Sequence, residues 1–108
     1  MARVWRVRDR ASFAALRREG ERRRAGPLTV TRLADGSTPP RVAYAIGRPV
    51  GTAVDRNRLR RRLRAIVAGL DLEPGTYLVG AGPAASTLSD QELRATVTRT
   101  LTRESRVS

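Results

Sequence analysis

Six arginines fall within the nine residues from Arg56 to Arg64, interrupted by Asn57, Leu59 and Leu63. Guanidinium groups are permanently charged and present forked donors that match phosphate oxygens and stack on bases. Chemistry that needs a titrating group at neutral pH has few candidates, because the chain contains no histidine and no cysteine. Imidazole general-base catalysis, thiolate nucleophiles, disulfides and the usual zinc sites are therefore excluded. The residues point to polyanion binding rather than to catalysis by protein side chains.

The 22 basic residues, all arginine, outnumber 10 acidic ones for a formal charge of +12. Charge of that size raises the free energy of a compact fold through self-repulsion, which a polyanionic partner offsets. It is also local. Residues 1–24 carry nine arginines against three acids, 56–64 carry six against none, and the other residues sum to zero. A membrane surface is the rival partner, but the longest apolar run, Ala65 to Leu70, is far below a spanning length. Basic residues near Met1 are followed by no apolar segment, which argues against a secretory signal and for a cytoplasmic protein.

The chain length of 108 residues suits one domain with one core. Phe13 and Leu16 at helical spacing, with Asp9 or Ser12 as a cap and Gly20 as a stop, predict a first helix. Leu28 to Leu33 alternates apolar and polar residues, and Val42 to Ile46 follows a Pro/Gly-rich loop. They read as an antiparallel strand pair. Leu59, Leu63, Ile66, Val67 and Leu70 then recur at helical period, giving an amphipathic helix of about four turns. Thr76 to Val79 predicts a third strand. Ser89 and Glu92 have capping-box spacing ahead of Leu93, Val97 and Leu101, which predicts a last helix. Residues 1–8, Arg22-Arg23-Arg24 and 104–108 are expected to be mobile.

With the apolar stripe on the core, a turn of 100° per residue puts Arg56, Arg60 and Arg64 in one row and Asn57 and Arg61 in the next. Arg58 and Arg62 fall on the other flank. Like charges at i,i+4 repel by a few tenths of a kcal/mol per pair, and a solvated face usually interleaves both signs. A bound polyanion accounts for the pattern better. Phosphate contacts alone do not distinguish DNA from RNA.

The run from Arg41 to Arg64 resembles the signature of the bacterial ribonuclease P protein component family. Its carriers are the strand Val42 to Ile46, the turn Val50-Gly51-Thr52-Ala53-Val54 and the helix opening Arg56-Asn57-Arg58. Weaker similarity covers Val7, Phe13 and Gly20, and later Ala85, Ser86 and Leu88. The resemblance implies an α/β sandwich with element order α-β-β-α-β-α, similar to the second domain of ribosomal protein S5, with a left-handed βαβ crossover. It implies a protein subunit of a ribonucleoprotein endonuclease whose RNA subunit removes the 5′ leader of precursor tRNA.

By the same resemblance, Arg56, Asn57, Arg58, Arg60, Arg61 and Arg64, with Arg48, would contact the catalytic RNA. Phe13 and Arg17 would border a cleft for the single-stranded leader. Magnesium would be held mainly by RNA and substrate, no protein side chain would be catalytic, and neither a membrane nor a small-molecule cofactor is implied. The chain departs from the family pattern at Arg17 and Thr31, where aromatic residues are common, and at Pro49 and Gly82, where basic ones are. Phe13 on a short helix is more often core than a stacking platform, Trp5 and Tyr44 read as packing residues, and Gly47 and Gly51 read as turn formers. The alternatives are a structural ribosomal protein and a DNA-binding module. Six arginines and one asparagine offer little for reading base edges.

Overall fold

A computed structural model describes residues 5–6 and 10–102. Strand β1 (Trp5–Arg6) precedes helix α1 (Arg10–Glu19), followed by β2 (Glu21–Ala25), β3 (Leu28–Leu33) and β4 (Arg41–Ile46). A 3-10 turn at Arg48–Val50 leads into α2 (Ala53–Ala68). Strand β5 (Thr76–Ala81), a second 3-10 turn (Pro83–Thr87) and α3 (Asp90–Leu101) complete the order. The five strands lie in the order β1-β4-β5-β3-β2.

The expected helices and strands form, but the expected pairing of β3 with β4 does not. Strand β5 lies between them, antiparallel to β3 and parallel to β4, with Val30 opposite Val79 and Tyr44 opposite Val79. Alternation predicts that a segment is extended but says nothing of its neighbour. A central strand is covered on both faces, and the continuous apolar run Tyr77-Leu78-Val79 carries that signature. Thr76, Tyr77 and Val79 are all fully buried. The connection through residues 34–40 is long enough to pass across the position that β5 occupies.

Two further strands form within segments expected to be mobile. Arg22-Arg23-Arg24 belongs to β2, paired along its length with β3, and Trp5–Arg6 pairs in parallel with Arg41 and Val42 of β4. An edge strand tolerates charge because its outer side faces water, so a basic run is compatible with pairing. Residues 103–108 and Asp9, one of the two expected caps, lie outside the described residues. Helix α1 begins at Arg10, so Ser12 lies within the helix rather than at its cap.

The sheet has two unlike faces. On one, Leu28 and Val30 of β3, Val42 and Ile46 of β4, and Tyr77 and Val79 of β5 meet Leu59, Leu63, Ile66 and Val67 of α2 and Leu93, Val97 and Leu101 of α3. Each fully buried aliphatic side chain there contributes about 1.5–3 kcal/mol by leaving water. The other face carries α1. Its Leu16 is buried, and a Cβ placed on Gly20 would collide with the Thr31 methyl and the Leu16 carbonyl. Helix α1 thus ends hard against β3, over the row in which Thr31, Leu78 and Ala43 are register partners.

Candidate functional site

The arginine helix is held at its start by local bonds that the sequence encodes. Thr52 caps α2, with its Oγ1 accepting from the Asp55 amide at 3.2 Å, and Asp55 Oδ2 accepts from the Thr52 amide at 3.0 Å. These bonds to Thr52 hold the Asp55 carboxyl below its ordinary pKa. Gly51 sits at φ +146°, and a Cβ there would lie 2.5 Å from Asp55 Oδ2. Only glycine both adopts this backbone angle and leaves room for the capping carboxylate. The 3-10 turn before it carries Arg48, exposed, and Pro49. Pro49 suits that position because its fixed φ opens the turn.

Beyond the cap, the six arginines have different surroundings. Arg58, Arg61 and Arg64 are exposed, as is Asn57, whereas Arg56, Arg60 and Arg62 are partly buried. Arg60 Nη1 donates to Asn57 Oδ1 at 2.7 Å, which ties the two predicted rows together. The guanidinium of Arg64 lies 5.9 Å from the centre of the Tyr44 ring, a cation–π distance. Burial pushes the Tyr44 hydroxyl up to about 12, while Arg64 pulls it the other way, so Tyr44 is a neutral ring at physiological pH. It packs against the core, as expected of a packing residue, and also stacks under an arginine.

Arg62 is placed differently. It meets Asp90 at 2.9 Å and donates to the Leu88 carbonyl at 2.7 Å, joining α2 to the start of α3. There Ser89 and Glu92 form the capping box expected from their spacing. This arginine is committed within the protein. The remaining positions, Arg56, Asn57, Arg58, Arg60, Arg61 and Arg64, lie together on one helix, and Arg48 lies on the turn that enters it.

Phe13 and Arg17 are elsewhere. They sit on α1, on the opposite face of the sheet from α2 and α3, with Phe13 partly buried outside the main core cluster and Arg17 exposed. The candidates therefore form two separate surfaces: a cationic helix, and a sheet face partly covered by α1. The sequence pattern did not single out Arg22 and Arg24, which lie on the edge strand of that second face. Their orientation depends on the pairing of β2, which a run of arginines does not reveal.

Electrostatically, the helix surface can bind phosphates densely and without base selectivity. No metal-ligand set accompanies it, since among the described residues no three His, Cys, Asp or Glu side chains come together. No described helix is long and apolar enough to cross a membrane.

Comparison with known proteins bears on the family and the fold. The family described as Ribonuclease P matches residues 1–105. The ribonuclease P protein component of Acidothermus cellulolyticus is 43% identical over 105 residues, covering 92% of this chain and 87% of its own. That of Clavibacter michiganensis is 40% identical over 82 residues, covering 73% of each chain. The RNase P protein of Thermotoga maritima superposes with a TM-score of 0.80 at 23% identity, covering 91% of this chain and 96% of that one, which bears on the fold.

Proposed function

The chain belongs to the ribonuclease P protein family, and on that premise we propose that it docks its α2 arginines on the catalytic RNA and guides the 5′ leader of precursor tRNA along the α1 face of its sheet. As a ribonuclease P protein component it is part of a ribonucleoprotein enzyme of tRNA processing. The observation that carries this reading is the exposed cationic surface of α2. Its arginines are not neutralised by acids on the same helix, apart from Asp55 at its start.

The physical logic has two parts. Two RNAs brought together repel through their phosphates, and arginines fixed on a capped helix lower that repulsion where the two meet. Arg48, Arg56, Arg58, Arg60, Arg61 and Arg64 supply the charge, and Asn57 is oriented by Arg60. A single strand is then held by charge and any stacking group beside it, with little sequence preference. Phe13 is half-buried on α1, which leaves part of its ring available as a wall of such a cleft.

Hydrolysis is assigned to the RNA subunit. Magnesium in this proposal is coordinated mainly by RNA and substrate. What magnesium supplies is activation of water and stabilisation of the developing phosphate charge. The protein contributes binding and orientation, in a cytoplasmic particle.

The test mixes purified protein with a bacterial ribonuclease P RNA and precursor tRNA at low magnesium. Cleavage at the mature 5′ end should be faster than with RNA alone. A rate equal to that of the RNA alone, or stable ribosome association without stimulation, would sink the proposal.

A further inference from the structure

Asp55 is the one acid on α2, and it shares a flank of the helix with Arg58, Leu59 and Arg62, at i, i+3, i+4 and i+7. Together with Ser86 of the 3-10 turn Pro83–Thr87, these residues line a cleft of about 160 Å³. At roughly 30 Å³ per water it holds about five waters, close to the volume of one ribose. The row of Arg56, Arg60 and Arg64 lies on the other side of the helix.

Two of the four polar side chains in the cleft are engaged within the protein. Arg62 is tied to Asp90 and to the Leu88 carbonyl, and Ser86 Oγ donates to the Pro83 carbonyl at 3.1 Å. The other two keep free valences. Asp55 accepts the Thr52 amide at Oδ2, and its Oδ1 takes no bond among the described residues. Arg58 is exposed and forms no ion pair or hydrogen bond among them. The bonds to Thr52, and after them the charge of Arg58, keep the Asp55 carboxyl below its ordinary pKa. At neutral pH it is therefore an acceptor only. A carboxylate acceptor thus stands one helical turn from an arginine fork, beside a space the size of a sugar.

A phosphate alone would avoid this place, because Asp55 repels it and the side of Arg60, Arg61 and Arg64 offers charge without an acid. A base would find no face to stack on, since the lining residues include no aromatic ring. One unit of RNA suits both free groups. Its ribose carries a 2′-hydroxyl that can donate to a carboxylate, next to a phosphate that accepts from arginine. We propose that this cleft seats one ribose–phosphate unit of the catalytic RNA, with the 2′-hydroxyl donating to Asp55 and the adjacent 3′ phosphate held by Arg58. The inference rests on the docking reading given above and adds what phosphate contacts lack, a means of telling RNA from DNA. Capping of α2 uses Oδ2 of Asp55 and accounts for neither the free Oδ1 nor the cleft beside it.

The experiment maps 2′-deoxy interference on assembly of the protein with a bacterial ribonuclease P RNA. RNA subunits carrying scattered 2′-deoxy phosphorothioate nucleotides are sorted into bound and unbound pools, with phosphorothioate RNA that keeps its 2′-hydroxyls as the control. With the wild type, a 2′-deoxy substitution at the seated nucleotide should weaken assembly about tenfold, the loss of one hydrogen bond to a charged acceptor. In Asp55→Ala that position should become silent, while interference from the folding of the RNA itself persists elsewhere. Ser86→Leu crowds the cleft from the turn and leaves the cap untouched. It should silence the same position, and it decides the matter if Asp55→Ala does not fold.

A carboxylate that only caps the helix would weaken assembly alike at every position and leave the map unchanged. A map identical to that of the wild type in either folded variant overturns the ribose contact and leaves the docking of α2 on RNA intact. Wild-type protein that fails to assemble with the RNA subunit overturns both.

Discussion

Arg62 and Asp90 meet at 2.9 Å across the gap between α2 and α3, so one arginine of the cationic helix is tied to α3 while Arg58, Arg61 and Arg64 are exposed. The pair is reinforced by the bond from Arg62 to the Leu88 carbonyl. Replacing Arg62 with alanine should lower stability by about 2 kcal/mol, the sum of an ion pair exposed on its Asp90 side and one charged hydrogen bond. It should leave the affinity for the RNA subunit nearly unchanged. Urea denaturation and a binding titration separate the two effects; a large loss of RNA affinity in a folded variant would place Arg62 in the interface.

The opposite outcome is expected for Arg60→Ala with Arg64→Ala. Neither residue is paired with an acid among the described ion pairs, and Arg60 and Arg64 meet Asn57 and the Tyr44 ring respectively. Assembly with the RNA subunit should weaken, and its log–log salt slope should fall by about one unit for each phosphate left without its arginine. Unchanged assembly and slope would remove this row from the RNA interface.

The cap at Thr52 should be visible in stability. Thr52→Ala removes the acceptor for the Asp55 amide and should cost about 1 kcal/mol, measured by thermal or urea unfolding. Gly51→Ala should cost more, because alanine at φ +146° both strains the backbone and strikes Asp55.

Acid should weaken the same cap. The Asp55 carboxyl is held below its ordinary range by its bonds to Thr52, so the folded state binds this proton less readily than the unfolded one. The contribution is therefore fully present above the unfolded pKa and is lost as pH falls through the lower folded value. Glu92, bonded to Ser89, behaves in the same sense. Asp55→Asn should flatten the acid limb of the stability–pH curve. An acid limb identical to that of the wild type would show that the cap carries no linkage.

Phe13 distinguishes a wall from a core residue. Being only half-buried and outside the main core cluster, its change to alanine should cost less than the roughly 3–5 kcal/mol of a fully buried phenylalanine. Leader-dependent affinity should fall in the folded variant. A full-sized stability loss with normal leader affinity would make Phe13 a packing residue.

Local sequence determined the helices and most of the strands, because helix and strand periods are written in the spacing of apolar residues. Leu59, Leu63, Ile66 and Val67 all reach the core, and the Ser89 and Glu92 cap forms where its spacing places it. The cationic helix was legible for the same reason: six arginines in nine residues on a helical period leave several outside any core. What the tertiary structure decided was adjacency. That β5 separates β3 from β4 and that Arg62 is drawn to Asp90 both depend on which strand or helix lies alongside. Pairing between segments distant in sequence is set by the burial of whole faces against one another, which no local period encodes.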